Sequence, residues 1–241
     1  MKKRRKKRRR IHVGRVILFL IFPFLLTGGS VLLILSGGMA GKMAKSQNNE
    51  NNQSSLSEEA GIRKEKPFDG KLTEEEVSGG IPRLMQWDGR WGKTAYGDSD
   101  IALSGCGPTC VSMVAAGLTG DAKLTPVLVA DYSERSGYYD SENGTSWGLM
   151  REGIGAFGLG SEELPLDEAV MKQTLNAGRP IICSMGEGDF TTTGHFIVLI
   201  SVEDEKFRLH DPNSIERSEK LWDYETMAPQ IRNLWAVYVN K

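Results

Sequence analysis

The residues around Cys106 are of types that could make its thiol a nucleophile. Residues 104–110 read Ser-Gly-Cys-Gly-Pro-Thr-Cys. The flanking glycines let the backbone turn sharply and leave the thiol uncrowded, and Pro108, which a helix accepts only in its first turn, sets where a helix begins. Cys106 is therefore predicted at a helix N-terminus, where free N–H groups and the helix dipole stabilise a thiolate. This pattern favours a cysteine nucleophile; a small buried cysteine in a tight turn is the alternative interpretation.

A cysteine nucleophile needs a base, and the sequence has three histidines. His12 lies in the basic N-terminal tip and is not a candidate. His195 begins a β-branched segment, and a turn near Asp204 brings it within one or two positions of Asp211 across an antiparallel pair. This suits a carboxylate that orients an imidazole. Because side chains alternate along a strand, His210 is expected to face away, and His195 is the predicted base.

Gln86 is a candidate for stabilising an oxyanion. It lies 20 residues before Cys106, in the segment Met-Gln-Trp-Asp-Gly-Arg-Trp at 85–91. Its side-chain amide can donate to a developing oxyanion together with the backbone N–H of Cys106. From the residues alone, an ordinary polar strand residue beside packing tryptophans is the favoured interpretation.

The elements that must position these residues are predicted from hydrophobic periodicity and from cap and turn residues. We expect helices over residues 106–118, 126–134, 146–157, 168–177 and 222–231. We expect strands over residues 81–86, 180–184, 195–202, 207–211 and 234–239. Helices come first and an antiparallel sheet comes last, an order typical of the α+β class.

Four motifs, in this order, resemble those of the bacteriocin-processing cysteine peptidases, family thirty-nine of the cysteine class, and above all their stand-alone, membrane-anchored relatives. The motifs are Gln86, Gly105-Cys106-Gly107-Pro108-Thr109, Gly194-His195-Phe196 and His210-Asp211-Pro212-Asn213. The stretch Asn-Ala-Gly-Arg-Pro-Ile-Ile at 176–182 also resembles the step from helix to strand that precedes the histidine in that family. The resemblance extends over residues 81–239.

This resemblance implies a papain-like fold, in which N-terminal helices pack on a C-terminal antiparallel sheet. It implies Cys106 as nucleophile, His195 as general base, Asp211 as the residue that orients the base, and Gln86 in the oxyanion hole. The implied reaction is amide hydrolysis through an acyl-enzyme, without a metal or another cofactor. The sequence has no Gly-x-x-x-x-Gly-Lys-Ser/Thr loop, so we expect no ATPase domain, in contrast to the transporter-linked members.

The other two cysteines, Cys110 and Cys183, are expected to be buried thiols. A disulfide between them is the alternative, which spacing alone does not decide. A zinc site is disfavoured because further Cys or His residues at ligand spacing are lacking.

The N-terminus carries a separate signal, for the membrane. Residues 2–10 are all Lys or Arg, and the 21 residues of 16–36 carry no charge. At helical rise they span roughly 30 Å, the thickness of a bilayer core, and the positive-inside rule puts residues 1–15 in the cytoplasm. A cleaved secretory signal with a weak cleavage site near residues 37–40 is one alternative, and a basic run that serves as a nuclear-localisation or nucleic-acid patch is the other. After residue 15 the sequence has 20 basic and 31 acidic residues, which disfavours nucleic-acid binding.

Together these patterns predict four regions: a basic cytoplasmic tip (1–15), a transmembrane helix (16–36), a flexible linker (37–80) and a papain-like peptidase domain (81–241). We expect a bacterial, single-pass, extracytoplasmic thiol hydrolase of the cell membrane that cleaves peptide bonds in a peptide or protein substrate. Three alternatives stay open on the same residues. In these alternatives, the domain is an inactive binding module, a hydrolase of peptidoglycan peptides, or a transferase that passes the acyl group to an amine.

Overall fold

The computed structural model of the chain describes residues 68–240. The predicted cytoplasmic tip, the predicted transmembrane helix and the linker up to residue 67 lie outside these residues. Within the described residues, no helix combines the length and the apolar character that crossing a bilayer requires.

The helices of the described residues are mostly short, and only α3 and α4 exceed nine residues. In chain order they are α1 (Glu74–Ser78), α2 (Ile101–Ser104), α3 (Cys106–Thr119), α4 (Pro126–Arg135), α5 (Gly148–Arg151), α6 (Glu168–Asn176), α7 (Ile215–Glu219) and α8 (Tyr224–Met227). Two turns of 3-10 helix, Gly153–Phe157 and Ala228–Gln230, follow α5 and α8.

Cap residues define the ends of the longer helices. The Thr125 side chain accepts a hydrogen bond from the N–H of Leu128 at the start of α4, and Asp167 caps α6 in the same way. Helix α3 ends at Gly120, whose φ of 71° lies in the left-handed region that favours glycine. The helices predicted over 106–118, 126–134 and 168–177 are confirmed to within one residue at each end.

Six strands form one antiparallel sheet. They are β5 (Leu159–Glu163), β6 (Ile181–Met185), β7 (His195–Glu203), β8 (Lys206–His210), β9 (Leu221–Trp222) and β10 (Ile231–Val239). Their order across the sheet is β5-β10-β6-β7-β8-β9. Two small hairpins lie outside this sheet, one of β1 (Ala95–Tyr96) and β2 (Ser99–Asp100), the other of β3 (Tyr139–Asp140) and β4 (Gly144–Thr145).

Helices cover both faces of the sheet. Successive side chains of β6 and β7 alternate between two apolar clusters, as the pleat of a strand requires. Ile182 and Val198 join the cluster that contains α3, α4 and α5, whereas Ile181 and Leu199 join the cluster that contains α6 and α8. Strands buried on both faces appear in the sequence as continuous apolar runs. The predicted α+β class with an antiparallel sheet is confirmed, with α6 on the face opposite α3.

Two predicted elements near the active-site motifs are wrong. Residues 81–86 form no strand, and the N–H of Gln86 instead bonds to the carbonyl of Pro212, beyond the end of β8. The segment 146–157 is not one helix but α5 followed by a 3-10 turn, because its three glycines lower the helix propensity.

Two further differences concern the sheet. The predicted helix over 222–231 is shorter, because Trp222 pairs with Phe207 in the sheet and Ile231 already begins β10. Strand β5 was not predicted, because Leu-Gly-Ser-Glu-Glu lacks the β-branched and aromatic residues that favour strands.

The predicted flexible linker ends earlier than residue 80. Leu72 is 4% exposed and its N–H bonds to the carbonyl of Ala122 at 2.8 Å. Phe68 packs edge-on against Trp91, and α1 begins with a capping box between Thr73 and Glu76. Residues 68–80 therefore belong to the folded unit and correct the predicted boundary at residue 81.

Candidate active site

Cys106 is the first residue of α3. The preceding residue, Gly105, provides no side-chain cap, so the first N–H groups of the helix stay available around the thiol. Close packing accounts for both neighbouring glycines. A Cβ on Gly105 would lie 2.5 Å from the carbonyl oxygen of Ile101, and one on Gly107 would lie 2.6 Å from the methyl group of Thr145.

His195 begins β7 directly opposite Met185 of β6. Its Nε2 lies 2.8 Å from Oδ1 of Asp211, and the ring lies close enough to Cys106 to lower the pKa of that thiol. Since Asp211 occupies Nε2, Nδ1 is the ring nitrogen that is left to interact with the thiol. The ring is 7% exposed, so it is held between its two partners with little contact with water.

The loop before His195 is fixed by a reciprocal pair of hydrogen bonds. The Asp189 N–H donates to Oε1 of Gln230 at 2.6 Å, and Nε2 of Gln230 donates back to Oδ2 of Asp189 at 2.7 Å. Phe190, which is 4% exposed, packs against Trp222 at a centroid distance of 4.5 Å. These contacts set where β7 starts and therefore where the imidazole lies.

Asp211 is fully buried and has a donor for each carboxylate oxygen. Oδ1 accepts from His195 and from the N–H of Asn213 at 2.8 Å. Oδ2 accepts from Nε of Arg217 at 2.5 Å. The carboxylate is therefore held in one orientation, with one oxygen directed at the imidazole.

Arg217 was not predicted from the sequence as a residue of this site. It lies in α7, whose N-cap Ser214 accepts from the Arg217 N–H at 3.1 Å. The available signal was a cap-forming Asn213-Ser214 pair just after Asp211, which starts a helix and turns its first basic residue back towards that carboxylate. Because α7 has only five residues and little hydrophobic periodicity, the helix itself was not predicted.

Hydrogen bonds and nearby charges outweigh burial in setting the pKa values of the Cys106 thiol and the His195 imidazole. Burial alone would raise the pKa of Cys106, but His195 and the N–H groups of Phe196 and Gly107 lower it below its ordinary value. Burial alone would lower the pKa of His195, but Asp211 and Cys106 raise it to about 9. This environment favours the thiolate form of Cys106 and the imidazolium form of His195.

The same balance holds for the carboxylate. Burial alone would raise the pKa of Asp211, whereas the hydrogen bond and charge of His195, together with Arg217 and the Asn213 N–H, lower it. Asp211 is therefore ionised at neutral pH and stabilises the imidazolium.

Gln86 is buried at 3% exposure and lies beside the segments that carry Cys106 and Asp211. Its Nε2 donates to the carbonyl of Ala102 at 2.7 Å, and its Oε1 has no hydrogen-bond partner among the described residues. Gln86 is not among the residues that line the cavity at Cys106. The structure thus places Cys106 beside His195, which is hydrogen-bonded to Asp211, while the predicted role of Gln86 stays a prediction.

The remaining histidine and cysteines of the folded unit lie outside this chain. Nδ1 of His210 donates to the carbonyl of Pro82 at 3.2 Å, and burial lowers its pKa to about 4, so it faces away from Asp211 as predicted. Cys110 and Cys183 are buried free thiols, and burial raises the pKa of each.

A cavity of about 680 Å³ opens at Cys106 and His195. Leu103, which is 77% exposed, and Trp147, which is 41% exposed, form part of its wall. Nε1 of Trp147 donates to the hydroxyl of Ser184 at 3.1 Å, which fixes the indole at the rim. Polar side chains also line the cavity, among them Ser104, Asn143 and Thr193, so it can hold a ligand with both apolar and polar groups.

Residues 79–241 match the family described as Peptidase_C39 like family. The chain therefore belongs to the Peptidase_C39 like family, which confirms the resemblance inferred from the four motifs. No curated protein sequence matches the chain at a significant level.

Two solved structures are similar to this one. The peptidase domain of ComA from Streptococcus, a bi-functional ABC transporter involved in a quorum sensing pathway, is 18% identical, with a TM-score of 0.42. The match covers 57% of this chain and 91% of that domain. A C39-like peptidase from Bacillus anthracis is 14% identical, with a TM-score of 0.42, and the match covers 68% of this chain and 98% of that chain.

Proposed function

We propose that this chain is a cysteine peptidase that hydrolyses peptide bonds. Cys106 is the nucleophile, His195 the general base and Asp211 the carboxylate that orients the imidazole. The observation that carries the proposal is the placement of Cys106, at the start of α3, beside His195 in the wall of one cavity, with Nε2 of His195 2.8 Å from Asp211. Membership of the Peptidase_C39 like family supports the same class of reaction.

The reaction proceeds in two halves. The Cys106 thiolate attacks the carbonyl carbon of the peptide bond and forms a C–S bond, and His195 gives its proton to the leaving amine as the C–N bond breaks. Water then attacks the thioester while His195 takes a proton from it. The C–S bond breaks, the carboxylic acid product leaves, and the thiolate–imidazolium pair is restored.

We assign Gln86 to the oxyanion hole, together with the backbone N–H of Cys106. A side-chain amide nitrogen carries two hydrogens, and the carbonyl of Ala102 uses one of them. The second is left for the oxygen that becomes negative in the transition state. The bond from the Gln86 N–H to Pro212 ties this residue to the segment that carries Asp211.

The proposal includes a papain-like fold and a place outside the membrane. A nucleophile on a helix that packs against an antiparallel sheet bearing the base supports the fold. The uncharged residues 16–36 after a basic tip support a single anchor, with the tip in the cytoplasm and the domain on the other side.

Thiol labelling of the full-length chain tests the proposed pair. We expect iodoacetamide to modify Cys106 rapidly at pH 6, because the imidazolium holds the thiol ionised. His195→Ala should lower that rate about a hundredfold or more, since a thiol with a pKa near 8.5 is less than ~1% ionised at pH 6. His210→Ala is the matched control and should keep the rate, because His210 does not contact the thiol. Mass spectrometry assigns the modified cysteine.

The pH dependence of hydrolysis adds a second readout. As the pH rises through about 9, His195 loses its proton; the thiolate persists, but the leaving amine receives no proton. Labelling should therefore stay fast while kcat/KM for peptides falls. If Cys106 instead titrates like a free thiol near pH 8.5 with and without His195, the proposed peptidase mechanism is wrong and a binding role replaces it.

A further inference from the structure

Arg232 differs from the other arginines of the folded unit. Seven of the eight arginines in residues 68–240 lie within 4.0 Å of a carboxylate oxygen; they are Arg83, Arg90, Arg135, Arg151, Arg179, Arg208 and Arg217. Arg232 forms no such pair within these residues, and its guanidinium donates only to the carbonyl of Pro229 at 3.3 Å. This is unexpected in a unit with 27 acidic and 14 basic residues over the same range.

The backbone explains where Arg232 points. The pairing of β10 with β6 shifts register between Ile231, opposite Met185, and Asn233, opposite Ser184. Arg232 is the extra residue of this β-bulge, and such bulges re-aim side chains beside active sites. Its guanidinium lies against Gly186, where an added Cβ would come within 2.3 Å of Nε.

That position is part of the wall of the cavity at Cys106. Arg232 and Gly186 both line this cavity, and Gly186 directly follows Met185, the residue paired with His195. Apart from His195, the charged residues in the wall are Arg232 and Glu142, and these two do not form an ion pair. The wall therefore presents an arginine with free donors close to the proposed base.

We infer that Arg232 binds a carboxylate of the substrate and so makes the enzyme selective for peptides that carry a negative charge near the bond to be cut. This inference rests on the proposed peptidase function. A guanidinium offers paired N–H donors that match the two oxygens of a carboxylate. The excess of acidic over basic residues in the folded unit disfavours the approach of anions, so Arg232 supplies the local attraction that such a substrate needs.

Two parts of a peptide supply this group, an Asp or Glu side chain and the free C-terminal carboxylate. The test uses the full-length chain in mild detergent and a pool of short synthetic peptides, with cleavage read by mass spectrometry. One arm compares Asp and Glu with Asn and Gln in peptides whose ends are blocked. The other arm compares free with amidated C-termini.

We expect one arm to give a preference for the carboxylate of about tenfold or more in kcat/KM, as for a charge-assisted hydrogen bond. Arg232→Gln should remove the preference, and Arg232→Glu should reverse it in favour of Lys and Arg at the same position. Arg135→Glu is the matched control, because it makes the same charge change on an exposed side chain of α4 outside the cavity. It should keep the wild-type preference.

The outcomes separate this inference from the function on which it rests. If cleavage is equally fast with and without the carboxylate in both arms, the role of Arg232 is overturned while the peptidase function stands. The same conclusion follows if Arg232→Gln keeps the preference for the carboxylate. Failure to cleave any peptide overturns both. The labelling rate of Cys106 in Arg232→Gln should equal that of the wild type, so a variant that misfolds is recognised separately.

Discussion

At the scale of single residues, Asp211 is a buried carboxylate held between two cations. His195 contacts one oxygen and Arg217 the other. The arginine fixes the carboxylate and also weakens its field at the imidazole, because its positive charge opposes the protonation of His195. Arg217 is therefore a positioning residue in the proposed mechanism, one contact removed from the reacting atoms.

Replacing Arg217 with Gln should change both the rate and the pH profile. We expect kcat/KM to fall roughly tenfold to a hundredfold, the cost of a misplaced catalytic group. Loss of a positive charge stabilises the imidazolium and destabilises the thiolate. Both limbs of the pH profile of kcat/KM should therefore move to higher pH. Steady-state kinetics with a peptide substrate over a range of pH measures this shift.

Two further variants separate this effect from loss of structure. Arg217→Lys keeps the charge and should restore the positions of both limbs. Arg135→Gln removes an ion-paired arginine of α4 and should leave the profile unchanged. A lower rate with unshifted limbs in Arg217→Gln would mean that Arg217 only supports the fold.

At the scale of elements, the N-terminus of α3 is held against the β3–β4 hairpin. Gly107 touches the side chain of Thr145. The Thr145 hydroxyl bonds to the buried hydroxyl of Tyr96 at 2.8 Å, which in turn bonds to Ser133 at 2.9 Å. Because these groups are buried and bonded to one another, the hairpin has little freedom to move away from the helix that carries Cys106.

Gly107→Ala should therefore disturb the site through packing. The added methyl would lie 2.6 Å from the Thr145 methyl, and overpacking of this kind costs about 1–3 kcal/mol in the free energy of unfolding. Labelling of Cys106 should also slow. Urea unfolding and the labelling rate at pH 6 are the measurements.

A double variant identifies the clash as the cause. Thr145→Ser removes the methyl but keeps the hydroxyl that bonds to Tyr96, so Gly107→Ala combined with Thr145→Ser should recover part of the lost stability. Gly155→Ala is the control, because a Cβ there meets open space. If Gly107→Ala and Gly155→Ala are equally stable, the contact with Thr145 is unimportant.

At the scale of the whole described unit, both faces of one sheet are covered, and a short N-terminal segment completes the packing. Leu72 inserts into the cluster that contains α3. Arg90 contacts Glu76 of α1 at 2.6 Å and Asp88 at 2.9 Å. The segment before residue 81 thus contributes directly to the core behind the nucleophile helix.

Leu72→Ala should consequently destabilise the full-length chain. A buried leucine truncated to alanine typically costs about 2–5 kcal/mol, because apolar contact is lost and a cavity is left. Leu128→Ala is the matched control, since Leu128 is 40% exposed and should change the free energy of unfolding by less than about 1 kcal/mol. If the two substitutions lower the free energy of unfolding in urea equally, residues 68–80 are a linker and not part of the folded core.

The sequence by itself determined the features that depend on local geometry. Pro108 and the flanking glycines identified the start of α3 and hence the position of Cys106 at a helix N-terminus. The spacing of 16 residues between His195 and Asp211, combined with the alternation of strands, brought this pair together and turned His210 away. Such features need only neighbouring residues or one hairpin, so their physics is contained in short segments.

Only the tertiary structure decided which distant segments meet. Cys106 contacts His195, 89 positions later, because α3 packs on the face of the sheet that holds β7. Arg217 reaches Asp211 through an unpredicted helix, and a bulge in β10 turns Arg232 into the cavity. Residues 81–86 have the pattern of a strand but find no partner strand. These outcomes depend on burial and pairing between segments that lie far apart in the chain. The same local sequence pattern is compatible with many ways of packing such segments, and only the packing of the whole unit selects one of them.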